Sequence, residues 1–413
     1  MRKTVKLLIL LVCLFSGLVI GYKVMEKKYG EDIVYNEGKI DMESKKQDVD
    51  DNTITIVSVG NILFHDSQLK GAKIGKEYDF GPSFDYVKNI INKGDISFGT
   101  VETVFAGGQY GGYPAFNTPD EALNNIKASG INVVNYGHNH ILDKGSVGVK
   151  RTIDITEKAN MPYVGIKNSK DAPEYIVKEV KGLKIGIMSY VYETKEQKGS
   201  KAINSILVPK DVEGFINTFN YDKLPELYSK LQKNIDTMKK QGVEFIILAI
   251  HWGEEYTTTP TNFQKDIGKK ANELGIDLVL GGHPHVIQPC EVINGSNQNT
   301  LVTYSQGNFL SNQCYEELNN RLTEDGYILK VSIEKGKKPY IKDYEIIPTW
   351  VYREKNKDGL FTHRVIPVDE AIKDKNKFSL TDEAFSRIKT SMKDTERILG
   401  EDVVNVFKLD KLK

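Results

Sequence analysis

Short apolar runs recur between positions 53 and 304, and each breaks at a polar or glycine-containing stretch. Residues 53–60 (TITIVSVG), 95–103 (DISFGTVET), 131–135, 243–250 (VEFIILAI), 276–280 and 301–304 are such runs. Several are apolar throughout rather than alternating, the pattern of strands covered on both faces. Between them lie segments with helical spacing: 82–93, with Phe84, Val87, Ile90 and Ile91 on one face, then 119–129, 147–158, 224–241 and 262–274. Gly130, Gly242 and Gly275 end three of these. Residues 175–180 and 183–190 predict a hairpin turning at Lys181–Gly182, and 161–166 a short strand. Strand, polar motif and helix alternate, which predicts an α/β fold with helices covering the sheet. Residues 193–220 form a less legible insert. After Asp325, 326–333 and 340–348 predict two more strands, and 381–399 a helix. The expected division is a main domain over 53–350 and a C-terminal extension with a helix over 351–413.

The first 52 residues follow another pattern. Arg2, Lys3 and Lys6 precede an uncharged run, 7–22 (LLILLVCLFSGLVIGY). It is long enough for a short membrane span or the apolar region of a signal peptide. No Ala-x-Ala cleavage site follows, and Cys13 lacks the small residue that precedes a lipidated cysteine. The expectation is an uncleaved signal anchor over 1–25, single-pass, with the basic N-terminus cytoplasmic and the main domain outside the cell. A cleaved signal peptide is the alternative. Residues 26–52 are polar and charged, as in a stalk.

Candidate chemistry sits where the apolar runs end. Six of the seven histidines, His65, His138, His140, His251, His283 and His285, fall in four short stretches, and only His363 lies elsewhere. Such clustering with Asn and Glu marks a metal or acid/base site. In open α/β sheets the C-terminal strand ends are where ligands bind. The pattern therefore gathers Asn61, His65, Glu102, Asn139, His140, His251, His283 and His285 at one edge. In the stretch 280–289 (LGGHPHVIQP), the two glycines are expected to supply the sharp turn. Ser305–Gln306–Gly307–Asn308 is expected to line the cleft floor, Trp252 to belong to the core, and Asp143 either to cap the next helix or to contact the site. Charge adds little: Lys+Arg and Asp+Glu are equal at 56 each, so net charge gives no argument for nucleic acid, and none is expected as a partner. Outside the first run, Cys290 and Cys314 would close about two dozen residues if paired, and the sequence leaves that pairing open.

These motifs carry a resemblance. VGNILFHD, DISFGTVET, NYGHNHILDKG, HWGEEY, GGHPHVIQP and YSQGNFL, in this order over about 53–315, resemble those of the bacterial capsule-synthesis CapA family of poly-γ-glutamate synthesis. That family is itself similar to calcineurin-like metallophosphoesterases. The resemblance implies an αββα sandwich of two mixed sheets. It implies Asn61, Glu102, Asn139, His251, His283 and His285 as ligands of one or two divalent ions, manganese, zinc or iron. It makes His140 a stabiliser of the transition state or donor of a proton to a leaving group. His65 or Asp66 would assist, and Glu255 with Tyr256 would meet substrate or orient ligands. Asn61 stands where the family has Asp, Thr100 where it has Asn, and Leu63 where phosphoesterases have His, which implies one metal rather than two, or weak binding. The implied partners are an anionic capsule polymer or its precursor, other membrane-bound capsule-synthesis proteins and the cell membrane. The implied activity is metal-dependent hydrolysis or transfer. The alternative is a non-catalytic component that binds or exports the polymer.

Overall fold

The apolar runs become strands in the expected order. β1 (Thr53–Ile62) is followed by β2 (Ile96–Val101), helix α1 (Glu121–Ala128), β3 (Val133–Asn135), α2 (Gly145–Lys158) and β4 (Tyr163–Val164). A hairpin, β5 (Tyr175–Val180) and β6 (Leu183–Tyr192), leads to β7 (Thr218–Phe219), α3 (Leu224–Lys240), β8 (Phe245–His251), α4 (Asn262–Leu274) and β9 (Leu278–Gly282). Then come β10 (Cys290–Asn294), β11 (Asn299–Thr303), β12 (Asn308–Leu310), β13 (Asp325–Glu334), β14 (Tyr340–Lys355), β15 (Phe361–Pro367) and α5 (Asp382–Leu399). This computed structural model describes residues 52–197, 199–296, 298–400 and 407–408. The expected anchor, and the stalk up to residue 51, lie outside the described residues. Among the described residues no helix is long and apolar enough to cross a membrane.

Two large mixed sheets carry the fold. The first runs β15-β14-β13-β1-β2-β3-β4, with β12 beside the end of β1. Its β1-to-β4 half is parallel, and β13, β14 and β15 add antiparallel ladders. The second runs β7-β6-β8-β9-β11-β10, with β5 on β6. Strand alternation sorts side chains into separate cores. Ile54 and Ile56 of β1, Ile185 and Ile187 of β6, Phe245 and Ile247 of β8, and Leu329 and Val331 of β13 share one cluster, which lies between the sheets. Their neighbours point outward: Val57 and Val59 pack with Ala122, Leu123, Ile126, Val149 and Ile153 of α1 and α2. Ile246, Leu248 and Val279 pack with Leu231, Ile235 and Met238 of α3 and Ile267 of α4. Both faces of these strands are therefore buried, as continuous apolar runs require.

Local chemistry sets the boundaries. Thr261 and Gln264 form a capping box at the start of α4, and Gly275 ends it in the left-handed region at φ 84°. Lys181 and Gly182 turn the β5–β6 hairpin with φ 48° and 79°. The expected helix over 82–93 is instead a short 3-10 turn, Gly81–Ser83, and a short helix, Lys88–Ile91. Between them Phe84 and Val87 donate three residues back, to Gly81 O and Phe84 O, so the segment winds more tightly than an α-helix. Its four apolar side chains are still buried. The insert contains a small three-stranded sheet, Thr194–Gln197, Ser200–Ile203 and Ile206–Leu207. β14 runs unbroken through position 350. Cys290 and Cys314 are both free thiols, so the pairing that the sequence left open is not made.

Candidate metal centre

Register aligns the strand ends that bear the polar motifs. His251, the last residue of β8, lies level with Val191 of β6 and Gly282 of β9, and Asn61 of β1 lies level with Thr100 of β2. Glu102 follows β2 directly, and a 3-10 turn after β3, Asn139–Leu142, presents Asn139 and His140. The stretch after β9 does not turn on its glycines. Gly281 and Gly282 complete the strand, and His283 and His285 take the left-handed conformations, with φ 99° and 57°. The glycines serve close approach. A Cβ on Gly281 would lie 2.2 Å from Tyr304 O, and one on Gly282 would lie 2.8 Å from Asn61 Oδ1. Positive φ at two imidazole-bearing positions, one residue apart, is strain of the kind held at functional sites.

Glu102 is the hub. It is fully buried, and neither carboxylate oxygen has a hydrogen-bond partner. Its Oε1 lies 3.5 Å from His251 Nε2 and 3.6 Å from His285 Nε2. Asn139 Oδ1 lies 3.0 Å from the same His251 Nε2. Glu102, His283 and His285 each offer a ligand atom within 4.8 Å of the others. The orientation of His285 follows from Asn308, whose Nδ2 donates to Gln313 Oε1 and Thr323 O. That leaves Asn308 Oδ1, 3.0 Å away, to accept from His285 Nδ1, so His285 Nε2 faces Glu102 with its lone pair. Asn61 Nδ2 lies 3.3 Å from His285 Nδ1. His140 Nδ1 lies 2.8 Å from Asp143 Oδ2, which also accepts Phe116 N–H at 2.7 Å, so Asp143 orients an imidazole and its side chain does not cap the helix that follows.

The electrostatics of the cluster point the same way. Burial, and then the neighbouring imidazoles, hold His138, His251 and His283 well below the ordinary histidine range. They are neutral, with lone pairs available to a cation. Burial raises Glu102, an effect that His285 and His140 partly offset. Burial also lowers His140, but Asp143 outweighs it and the net shift is upward. His251 Nδ1 and His283 Nδ1 are buried without partners, like both Glu102 oxygens. Each such atom costs about 1–3 kcal/mol, and a carboxylate more. His251 Nδ1 lies across the ring from the Nε2 that faces Glu102, but a divalent cation beside Glu102 would satisfy its carboxylate, and the set of carboxylate, amide oxygen and neutral imidazoles fits a metal ion.

Two expected residues stand apart. His65 is half-buried, and its Nδ1 accepts Asn312 N–H at 3.2 Å and lies 3.2 Å from Gln68 Oε1. The Phe116 ring contacts both His65 and His140, with centroids 5.1 and 4.7 Å away. Burial lowers His65 to about 4. Glu255 is exposed on the rim, where Tyr256 N–H donates to Pro284 O at 2.7 Å and ties the HWGEEY turn to the His283–His285 turn. Trp252 is core, with Nε1 donating to Tyr304 O at 2.8 Å. The sequence reading did not single out Tyr192, whose hydroxyl lies 3.1 Å from His283 Nε2. Nor did it use His363, whose Nε2 lies 2.8 Å from Oδ1 of Asn312. Neither sits in a histidine-rich motif, and no spacing signal marks them.

A family model described as bacterial capsule synthesis protein PGA_cap matches residues 55–313. The capsule biosynthesis protein CapA of Bacillus anthracis is 28% identical over 202 residues, 47% of this chain and 43% of that protein. The PGA biosynthesis protein CapA of Bacillus subtilis (strain 168) is 28% identical over 221 residues, 53% of this chain and 51% of that protein. The chain thus spans about half the length of these curated relatives. An uncharacterized protein of Sinorhizobium fredii is 21% identical over 360 residues, 71% of this chain and 72% of that protein. The family match takes in every residue of the Glu102 cluster, and the chain belongs to the bacterial capsule synthesis protein PGA_cap family.

Proposed function

We propose that this chain is a membrane-anchored extracellular protein of capsule or poly-γ-glutamate biosynthesis, and that it acts as a metal-dependent hydrolase or transferase of metallophosphoesterase type. The family and the names of the two CapA relatives support the biosynthetic role. The layering of helices, two mixed sheets and helices, with motifs at the strand ends, supports the metallophosphoesterase likeness. One observation carries the metal dependence: the buried Glu102 carboxylate, unpartnered, faces His251 Nε2 and His285 Nε2, and its ligand atom lies within 4.8 Å of those of His283 and His285. In this reading Glu102, Asn139, His251, His283, His285 and Asn61 hold one or two ions of manganese, zinc or iron. A bound divalent ion supplies a Lewis acid and an acidified water. His140, held by Asp143, stands ready to give a proton to a leaving-group oxygen. Glu255 and Tyr256 form the rim that meets the substrate, an anionic capsule polymer or its precursor. His65 supports the wall beside His140 from outside the ligand group. The apolar run at 7–22 is the proposed anchor, and other membrane-bound synthesis proteins are the proposed partners.

A second reading is a non-catalytic component that binds or exports the polymer. Asn61 and Leu63 favour it, because an amide and an alkyl chain stand where phosphoesterases have Asp and His. Elemental analysis of the full chain, purified without chelator or affinity metal, separates the two. One or two equivalents of manganese, zinc or iron, lost in His251→Ala and Glu102→Gln with the fold intact, are expected. No metal after reconstitution with each ion would leave the binding or export reading in place.

A further inference from the structure

We infer that Tyr192 is a positioning residue that selects the tautomer of His283 and so presents His283 Nδ1 to the metal. The inference rests on the metal-centre reading above. Tyr192 belongs to none of the histidine-bearing motifs. Tyr192 ends β6, and its backbone is fixed on both sides of the strand. Val191 pairs with His251 of β8, and Tyr192 itself pairs with Phe219 of β7. Its ring is wedged against two imidazoles of the cluster. It lies parallel to His251, with 6.5 Å between centroids and 6° between planes, and 4.9 Å from His283. The ring also packs on Tyr221, whose hydroxyl accepts Gly253 N–H at 2.8 Å, two residues after His251. The two ends of the insert thus brace the two histidine-bearing turns.

The Tyr192 hydroxyl is placed to decide which nitrogen of His283 carries the proton. It lies 3.1 Å from Nε2, while Nδ1 is buried with no partner. With the proton on Nε2, that N–H donates to the tyrosine oxygen and Nδ1 keeps its lone pair. With the proton on Nδ1, a buried N–H would be orphaned, which native proteins rarely tolerate. Tyr192 thus partners His283 Nε2 as Asn308 partners His285 Nδ1; its hydroxyl can donate as well as accept, and the unpartnered Nδ1 of His283 is what favours the form in which it accepts. Each holds one ring nitrogen so that the other faces the ion, the outer partnership that metal-ligating histidines usually show. The left-handed backbone of His283 makes this more necessary, because the turn alone does not favour the conformation that delivers the ring.

Tyr192→Phe keeps the ring and removes the hydroxyl. The full chain, stripped with chelator, is titrated with zinc against a competing chelator and loaded with cobalt(II) for visible spectroscopy, and the metal-free melting temperature is recorded. The expected result is zinc affinity about 10–100-fold weaker than wild type, a changed cobalt spectrum and an unchanged melting temperature. Wild-type affinity and spectrum in the variant would overturn the inference while leaving the metal centre intact. Failure of the wild-type chain to bind either ion would instead remove the metal-centre reading, and this inference with it. If Tyr192→Phe does not fold, the 15N imidazole resonances of wild-type metal-free protein decide. A proton on His283 Nε2 supports the role, and a proton on Nδ1 overturns it.

Discussion

Asn61 decides what kind of site this is. Its side chain is buried at the end of β1, 3.3 Å from His285 Nδ1, where an aspartate would bring a second carboxylate to a cluster that already holds Glu102. Without a cation, that charge would be buried and uncompensated, a cost on the order of 3 kcal/mol. With a cation, the same charge becomes a stronger ligand than an amide. Asn61→Asp is therefore expected to lower the melting temperature of the metal-free protein. It should also raise the stabilisation gained on adding manganese, with the bound ion count rising toward two per chain. Calorimetry of the stripped and loaded forms measures both changes. A variant that shows neither change would place Asn61 outside the coordination sphere. Asn61 was legible as a site residue because it follows an apolar run at a strand end. Tyr192 was not: a tyrosine closing the run SYVY is indistinguishable from any strand aromatic until the β6–β8 register sets it beside His251.

At the scale of elements, the frame that delivers the histidines is pinned at its far end by Asp277. This residue precedes β9, is buried, and ties three strands. Its Oδ2 accepts Ile246 N–H of β8 at 2.8 Å, its N–H donates to Ile246 O, and its carbonyl accepts Leu301 N–H of β11. Burial pushes its carboxyl up to about 7, although the Ile246 N–H, Lys338 and Lys239 pull the other way. Its folded value thus lies above the unfolded value near 3.8. The contribution to stability is full below about pH 4 and is lost as pH rises through about 7. Asp277→Asn keeps an acceptor for Ile246 and cannot ionise. It is expected to match wild type near pH 3.5 and to exceed it by roughly 4 kcal/mol at pH 8.5, at ~1.36 kcal/mol per pH unit. Denaturant unfolding of both proteins across that range is the check. A difference that does not vary with pH would mean that Asp277 titrates as an exposed carboxylate does. The strands themselves were legible because FIILAI and LVL are apolar on both faces. Helix α4 was legible to the residue because a capping box opens it and a glycine closes it. The small sheet at 194–207 was not, since its residues neither alternate nor form an apolar run.

At the scale of the whole molecule, the family-matched stretch ends before the sheet that supports it is complete. β13 pairs along β1 from Thr53↔Glu334 to Val59↔Ile328, and β14 and β15 extend the same sheet. The C-terminal strands also reach the site wall: His363 of β15 holds Asn312, whose N–H holds His65. That link joins residues 51 positions apart, and no local pattern could reveal it. A chain ending at residue 313 would leave β1 as an open edge, its Ile54 and Ile56 stripped of cover. It would also lose Ile328, Leu329, Val331 and Ile333, all fully buried. At about 1.5–3 kcal/mol for each such side chain, those four alone contribute on the order of 6–12 kcal/mol. That is comparable with the roughly 5–15 kcal/mol by which a whole domain is stable. The chain ending at 313 is therefore expected to be insoluble or to lack a cooperative thermal transition, whereas one ending at residue 400 should unfold cooperatively. Light scattering and calorimetry of the two, both beginning at residue 52, distinguish the cases. A soluble, cooperatively melting 52–313 fragment that still binds metal would mean that the metal centre is self-supporting and the C-terminal strands are accessory to it. The pairing of β13 along nearly all of β1 argues that the Glu102 cluster is instead a property of the completed sheet.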